Sequence, residues 1–506
     1  MSTKRGILLV VCLALVLAFA FQGTRGLYET TEGRYAESAR EMLETGNWLV
    51  PMLDYTPHWT KPPLTYWAIA GGVAVLGENE WGVRAASGLA YLVTALAVFG
   101  LGSAMWGRRT GVVSALVYST SLFAVVAANS VSTDPLLAMW EALVALSYWR
   151  SLRAEASTHA SRWMTLFWLF NGLAFLTKGP PALLTLLAVL IYHAWRLRTH
   201  RESPRLGTPS GLALFLVVGF WWYVFMVVRE QGLFTYLVRD EVVGRIFTAE
   251  SNRNPEWYMP FLVLIPPLVL GLGGWLWFWP RLWRRYGGIT GLFARFRARA
   301  GNQPAVFCLL WLAAPLLVLS FSRSRLPLYV LPFLPGLAIL TGRGIVVTAA
   351  ERGKGWLPAR FAVTLALALL VLKAVASYMP SSSDVRPVYD LVRSADTENA
   401  GGDRVVPFVY AYELPEHYGL MFYLKGRMLR VSASDDQPWA GLDGTGLVGE
   451  LTSGEERRPG YVVVRRARRS LEELLSGAGL SYRSVSGHGH AVYVVEPRFG
   501  SPAEAR

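Results

Sequence analysis

Apolar runs separated by short polar connections recur along the first 380 residues, and each long run predicts a helix that crosses a bilayer. Spans are expected near 7–21, 82–106, 111–128, 135–150, 163–177, 180–195, 210–228, 257–280, 303–321, 326–342 and 361–379, about eleven in all. Lys4 and Arg5 precede the first run as in a signal peptide, but no small-x-small cleavage site follows, so it reads as an uncleaved span. The apolar segment Leu64–Leu76 is too short for a hydrocarbon core of ~30 Å and reads as a surface or re-entrant helix.

Between the first span and Leu64 the pattern changes. Tyr35, Ala39, Met42 and Leu43 recur at helical spacing while Glu37, Arg40, Glu41 and Glu44 face elsewhere, which predicts an amphipathic helix lying on a membrane surface. Thr30 or Thr31 is expected to cap its start and Gly46 to end it, with Glu32 favoured in the first turn by the helix dipole.

After about Pro380 the apolar runs shorten. Val405–Tyr410, Met428–Ser432, Tyr461–Arg465 and Ala491–Glu496 read as strands, and His417–Leu424 and Leu471–Leu475 read as helices. The expected fold is therefore a membrane all-α bundle over residues 1–379, with its first outer loop at 25–81, followed by a small soluble α/β domain over 380–506.

Composition agrees: 53% of residues are hydrophobic, 20 are Trp and only 17% are charged. The net charge of +14 does not imply nucleic acid, because the arginines cluster in short connections between apolar runs. With the N-terminus cytoplasmic, roughly twice as many basic residues fall on the inner side as on the outer, as the positive-inside rule requires. That direction places 27–67, 129–134, Lys178-Gly179, 229–256 and 322–325 on the outer face, and the tail with them. The basic stretch Gly287–Gly301 reads as a cytoplasmic, topology-setting loop that could also grip anionic lipid. Cys12 and Cys308 both lie in apolar runs, so neither a disulfide framework nor a thiolate metal site is expected.

The segments Thr31-Glu32-Gly33-Arg34-Tyr35-Ala36-Glu37, Thr60-Lys61-Pro62-Pro63, Leu176-Thr177-Lys178-Gly179 and Ser322-Arg323-Ser324-Arg325-Leu326-Pro327-Leu328-Tyr329 carry a resemblance. Together they resemble the membrane-embedded, lipid-linked glycosyltransferases of the GT-C class, most nearly the aminoarabinose-transferase branch of the protein O-mannosyltransferase superfamily. The resemblance implies a multi-pass protein of the bacterial inner membrane with a periplasm-facing site. Its activity would be transfer of a sugar, with inversion, from a polyprenyl-phosphate donor to a lipid or protein acceptor.

Such a reaction needs cations for the departing phosphate and a carboxylate for the acceptor's proton. By resemblance Lys61, Arg34 and Tyr35 line the donor-phosphate site; a snorkelling Lys61 and an intrahelical Arg34 pair with Glu37 or Ser38 are the structural alternatives. Arg323, Arg325 and Tyr329 place two cations and a phenol at the outer mouth of a span, against the positive-inside trend, which also suits a phosphate. The branch's leading Asp is Thr31 here, so Glu32 is the expected general base, with Glu29 in reserve. Asp134, at the outer start of a span, is the second acid, unless it only caps that helix. The branch's metal ligands, a Glu and a His, are replaced by Thr60 and Val242, so no metal or other cofactor is expected. A multi-span transporter or flippase, and an inactive scaffold of the same fold, are the rival readings.

Overall fold

The computed structural model describes residues 2–199, 204–244, 253–288, 290–291, 303–351, 357–397, 406–434, 437–453, 459–466 and 468–496. Most of the stretch Gly287–Gly301, all but residues 287, 288, 290 and 291, lies outside the described residues, as does the first residue of the strand expected at Val405. The chain groups into two compact units, one of Met1–Gln22, His58–Ala68 and Arg84–Ala376, the other of Gly23–Pro57, Ile69–Val83 and Ser377–Arg506. Most of the loop at 25–81 thus groups with the tail, where the sequence pattern assigned it to the membrane domain.

The first unit is built from helices. In chain order the helices of the chain begin α1 (Thr3–Phe19), α2 (Thr31–Thr45), α3 (Leu64–Leu76), α4 (Glu80–Trp106), α5 (Arg108–Ser119), α6 (Leu122–Ala128), α7 (Asp134–Arg153), α8 (Ser157–Lys178), α9 (Leu183–Thr199) and α10 (Pro209–Arg229), of which α2, α3 from Ile69 and the first turn of α4 fall in the second unit. Further helices at Gln303–Phe321, Leu334–Glu351 and Leu357–Tyr378 complete the apolar series. Six helices among the described residues are long and apolar enough to cross a membrane, or up to eight if each of two bent pairs is one span. The bends are 63° between α5 and α6 and 86° between Pro260–Leu270 and Gly273–Arg284. The expected total of about eleven rests on three more helices, α1, α7 and α8, of 17, 20 and 22 residues, which fall outside that class. α7 does so while carrying two buried carboxylates, Asp134 and Glu141.

Small residues let the helices that carry the site approach closely. A Cβ added to Gly219 of α10 would sit 3.3 Å from the Gly172 Cα of α8, a backbone contact of the kind small residues permit between membrane helices. Phe175 stacks on Phe220 at 4.3 Å between ring centroids, fixing the same helix pair further along.

In the second unit, α2 ends at Gly46 in the left-handed conformation, as expected (φ 67°). Its start differs. Thr30 occupies the cap position without a side-chain bond, and Glu32 Oε2 instead accepts from the Tyr28 N–H at 3.0 Å. The surface-lying helix is also corrected, because Glu37, Arg40 and Glu41 are buried rather than solvated. Arg40 is held by Glu37 and Glu44, and both Glu41 oxygens accept from the turn N–H groups of Asp54 and Tyr55. That turn joins β1 (Met52–Leu53) to β2 (Thr56–Pro57) with φ near 55° at both central residues, so the buried carboxylate stabilises a conformation that costs L-residues energy. The polar face of α2 is therefore internal framework.

The tail forms a five-stranded sheet of β3 (Val409–Tyr412), β4 (Met428–Val431), β5 (Gly460–Val464), β6 (Tyr482–Gly487) and β7 (His490–Val495), in the order β4-β3-β5-β7-β6. β3 runs parallel to β4 and β5, while β7 runs antiparallel to β5 and β6. The small α/β domain of the sequence reading is present, and it also holds β6 and helices at Arg386–Thr397 and Gly444–Ser453.

Candidate active site

α7 and α8 run antiparallel, so the start of one and the end of the other lie side by side. Asp134 opens α7 ahead of Pro135, and Lys178 closes α8 just before Gly179, whose φ of 72° stops the helix. Each charge complements its helix end. The Lys178 ammonium donates to Asp134 Oδ1 and lies 4.4 Å from the centroid of the Tyr329 ring. Asp134 is not the cap of α7; Thr133 holds that position, and the Asp134 carboxylate faces Lys178 and the Ser132 hydroxyl.

Lys61 comes from a segment pinned to α10 by two aromatic contacts, Trp59 with Trp222 at 6.4 Å and Trp67 with Trp221 at 6.3 Å. Pro62 and Pro63 follow it and are buried, and α3 begins directly after them. The Lys61 ammonium donates to its neighbour's carbonyl, Thr60 O, at 2.5 Å and to Glu241 Oε2 at 3.3 Å. Glu241 lies on a π-helical segment, Tyr236–Gly244, and Tyr236 donates to its other oxygen at 3.4 Å. Such wide turns often mark functional sites.

Lys61, Lys178 and Tyr329 line one cavity of about 590 Å³, together with Glu141, Tyr223, Glu241 and a wall of apolar side chains that includes Phe175, Phe220, Val224 and Phe333. Apolar walls with a few converging polar groups suit a ligand with a lipid tail and a charged head.

Other expected site residues fall elsewhere. Arg325 is corrected from phosphate ligand to loop staple: its guanidinium donates to the backbone carbonyls of Leu319, Ser320, Asn254 and Glu256 at 2.9–3.3 Å. Arg323 is exposed and absent from the cavity wall, so of the SRSRLPLY segment Ser322, Ser324 and Tyr329 reach it.

Glu32, Arg34 and Tyr35 belong to the second unit. Glu32 is held at both oxygens by Arg25, at 2.7 and 3.0 Å, and is buried. Arg25 occupies both oxygens, which is the wrong preparation for a general base. Glu37, an expected partner of Arg34, is taken by Arg40. Glu29 is prepared differently: burial pushes its carboxyl up to about 8, and its Oε2 is buried with no hydrogen-bond partner while Oε1 accepts from the Gly419 N–H. Arg34 pulls the Glu29 carboxyl only weakly the other way.

Lys178, Glu141 and Glu241 were not singled out as site residues from the sequence. For Lys178 the signal was present, as a lysine in the Leu176–Gly179 motif on the outer side. Glu241 stands one residue before Val242, the position that matches the family's histidine ligand.

The membrane helical bundle has the fold of the GT-C type, as comparison with known proteins shows. ArnT from Cupriavidus metallidurans, solved with undecaprenyl phosphate bound, superposes with a TM-score of 0.76 at 23% identity over 98% of both chains. The apo form of that protein gives 0.74 at 22% identity, again over 98% of both chains. A family profile described as dolichyl-phosphate-mannose-protein mannosyltransferase matches residues 60–223.

An undecaprenyl phosphate-alpha-4-amino-4-deoxy-L-arabinose arabinosyl transferase of Proteus mirabilis is 30% identical over 393 residues, covering 75% of this chain and 68% of the relative. Its counterpart in Pseudomonas aeruginosa LESB58 is 32% identical over 384 residues, covering 72% of this chain but 65% of the relative, just under two thirds of its length. The chain belongs to this aminoarabinose-transferase family of GT-C proteins, and it is a multi-pass protein of the bacterial inner membrane.

Proposed function

We propose that the protein transfers a sugar from a polyprenyl-phosphate donor to a hydroxyl of a lipid or protein acceptor, on the periplasmic face of the inner membrane, with the C-terminal domain on that side. The observation that carries the reading is the meeting of Lys61, Lys178 and Tyr329 at one cavity whose remaining wall is mostly apolar. The names of the relatives point to an aminoarabinose unit as the sugar.

In the proposed reaction the bond between the anomeric carbon and the phosphate oxygen breaks, and the phosphate keeps the electron pair. Lys61 and Lys178 neutralise that charge, and Tyr329 flanks it with a ring that already receives the Lys178 ammonium. The acceptor oxygen forms the new bond on the opposite face, which inverts the anomeric carbon. Its proton goes to a carboxylate. Asp134 is the proposed acceptor, since phosphate binding at Lys178 would draw that ammonium away from it. Glu32, held by Arg25 and the Tyr28 N–H, then has a structural role at the start of α2.

No metal takes part in this proposal. At the two positions where the family holds ligands, Thr60 hydrogen-bonds His58 at 2.7 Å and Val242 offers no donor atom, so the residues present do not fit the ion. Chelation with EDTA should leave transfer intact.

The experiment is equilibrium binding of polyprenyl phosphate to the purified protein and to Lys61→Ala and Lys178→Ala. Each substitution removes a charge-assisted bond worth ~1.5–3 kcal/mol, a loss of roughly ten- to a hundredfold. Unchanged affinity in both folded variants removes the donor site. The two bent helix pairs also suit a transporter, which would move the lipid without changing it.

A further inference from the structure

Glu141 is 1% exposed, lines the cavity, and is not needed by any step above. It lies on α7 seven residues after Asp134, so Asp134, Leu137 and Glu141 share a helix face at i, i+3 and i+7, and Glu141 sits two turns, about 10 Å, further along.

Its bonding has a fixed direction. Trp311 Nε1 donates to the Thr185 hydroxyl at 2.8 Å, and Thr185 donates to Glu141 Oε2 at 2.5 Å. An indole N–H can only donate, and a threonine has one hydroxyl hydrogen, so the chain runs Trp311 to Thr185 to Glu141 and cannot reverse. Oε2 is therefore satisfied and locked. Oε1 is buried with no hydrogen-bond partner, on a residue of the cavity wall. A buried polar atom left unpaired is costly, and here three elements, α7, α9 and Gln303–Phe321, fix the carboxyl that carries it through its other oxygen.

We infer that Glu141 is a specificity residue for the glycosyl unit: its Oε1 accepts a hydrogen bond from a hydroxyl or amino group of the sugar once the donor phosphate is seated between Lys61 and Lys178. The inference rests on the reading of the cavity as a polyprenyl-phosphate sugar site. A separation of two helical turns from the Asp134–Lys178 pair leaves room for a phosphate and one sugar ring. The competing occupant of this depth is the isoprenoid tail, and the two make opposite demands. A tail prefers an apolar side chain there, whereas a sugar loses a partner when the carboxylate is removed.

The test compares binding of bare polyprenyl phosphate with binding of a polyprenyl-phosphate hexoside and a polyprenyl-phosphate aminopentoside, in wild type, Glu141→Leu and Thr185→Val. Wild type binds at least one glycoside more tightly than the bare phosphate. Glu141→Leu erases that gain, about ten- to a hundredfold, and leaves the bare phosphate unchanged. Thr185→Val keeps the carboxylate but unlocks it, and loses a smaller part of the gain, so a poorly folded Glu141→Leu does not end the test. A gain that survives both substitutions, no gain in wild type, or tighter binding of the bare phosphate by Glu141→Leu overturns the inference. Failure of wild type to bind bare polyprenyl phosphate overturns instead the site reading beneath it.

Discussion

Lys178 and Tyr329 are 151 positions apart in the chain, and the ammonium of one lies 4.4 Å from the ring centroid of the other. The contact joins the end of α8 to the Pro327–Phe333 turn at the cavity wall, and Asp134, behind that wall and not among its lining residues, pairs with Lys178 from α7. A cation already balanced by one carboxylate and one ring can turn from the carboxylate to a phosphate while keeping its contact with the ring. The same argument applies to Lys61 and Glu241.

Exchange at Lys61 predicts a gain. If a donor phosphate must displace Glu241, then Glu241→Gln should strengthen binding of bare polyprenyl phosphate, by about two- to fivefold for a partly exposed pair worth ~0.2–1 kcal/mol. Calorimetric titration of the variant checks this. Weaker binding would mean that Glu241 orients Lys61 instead of competing for it.

Two carboxylates, Asp134 and Glu32, are separable as proton acceptors. Asp134→Asn should slow transfer by ~10²–10⁴. Glu32→Gln should leave turnover of the folded enzyme within a few-fold, and instead lower stability by ~1–3 kcal/mol, because Arg25 loses its bidentate partner. Turnover under donor saturation, paired with thermal melting, reads both effects. A large rate loss in Glu32→Gln with an unchanged melt would restore Glu32 as the base.

Glu29 predicts a pH dependence. Burial raises its carboxyl from 4.5 to about 8, so between those values the folded state keeps a proton that the unfolded state has released. Stability from this group falls as pH rises through that window and is flat above it. Glu29→Gln should melt increasingly above wild type as pH goes from 5 to 8. A constant difference between the two melts across that range contradicts the assignment.

Topology is checked at Ser476, which is exposed in the C-terminal domain. With Cys12 and Cys308 replaced by Ala, Ser476→Cys should react with a membrane-impermeant maleimide in spheroplasts. Labelling only after the cells are broken would place the domain in the cytoplasm.

The helical bundle was legible because apolar runs of span length have few other uses, and strands β5 and β7 because they are short runs rich in Val and Tyr, buried almost throughout. What the pattern misread has one cause. Glu37, Arg40 and Glu41 look like a solvated face at helical spacing, and nothing local shows that Tyr55 and the Asp54 turn come back to cover them. Arg325 likewise looks like an anion ligand until the carbonyls of Asn254 and Glu256, far away in sequence, are seen to occupy it. Lys61 and Tyr329 were found because the motifs carrying them are contiguous. Glu141 was hidden because a single carboxylate inside an apolar run gives no sign of which way it points.

The central claim is that the cavity around Lys61 and Lys178 transfers a sugar from a polyprenyl-phosphate donor. It is tested most directly by reconstituting the purified protein with a radiolabelled polyprenyl-phosphate sugar and envelope lipid and protein acceptors, and following the label. The account predicts that label leaves the polyprenyl phosphate for an acceptor in wild type, with EDTA present, and that Lys61→Ala and Lys178→Ala each abolish most of the transfer. Label that crosses the membrane still attached to polyprenyl phosphate, or stays on it in every preparation, contradicts the account.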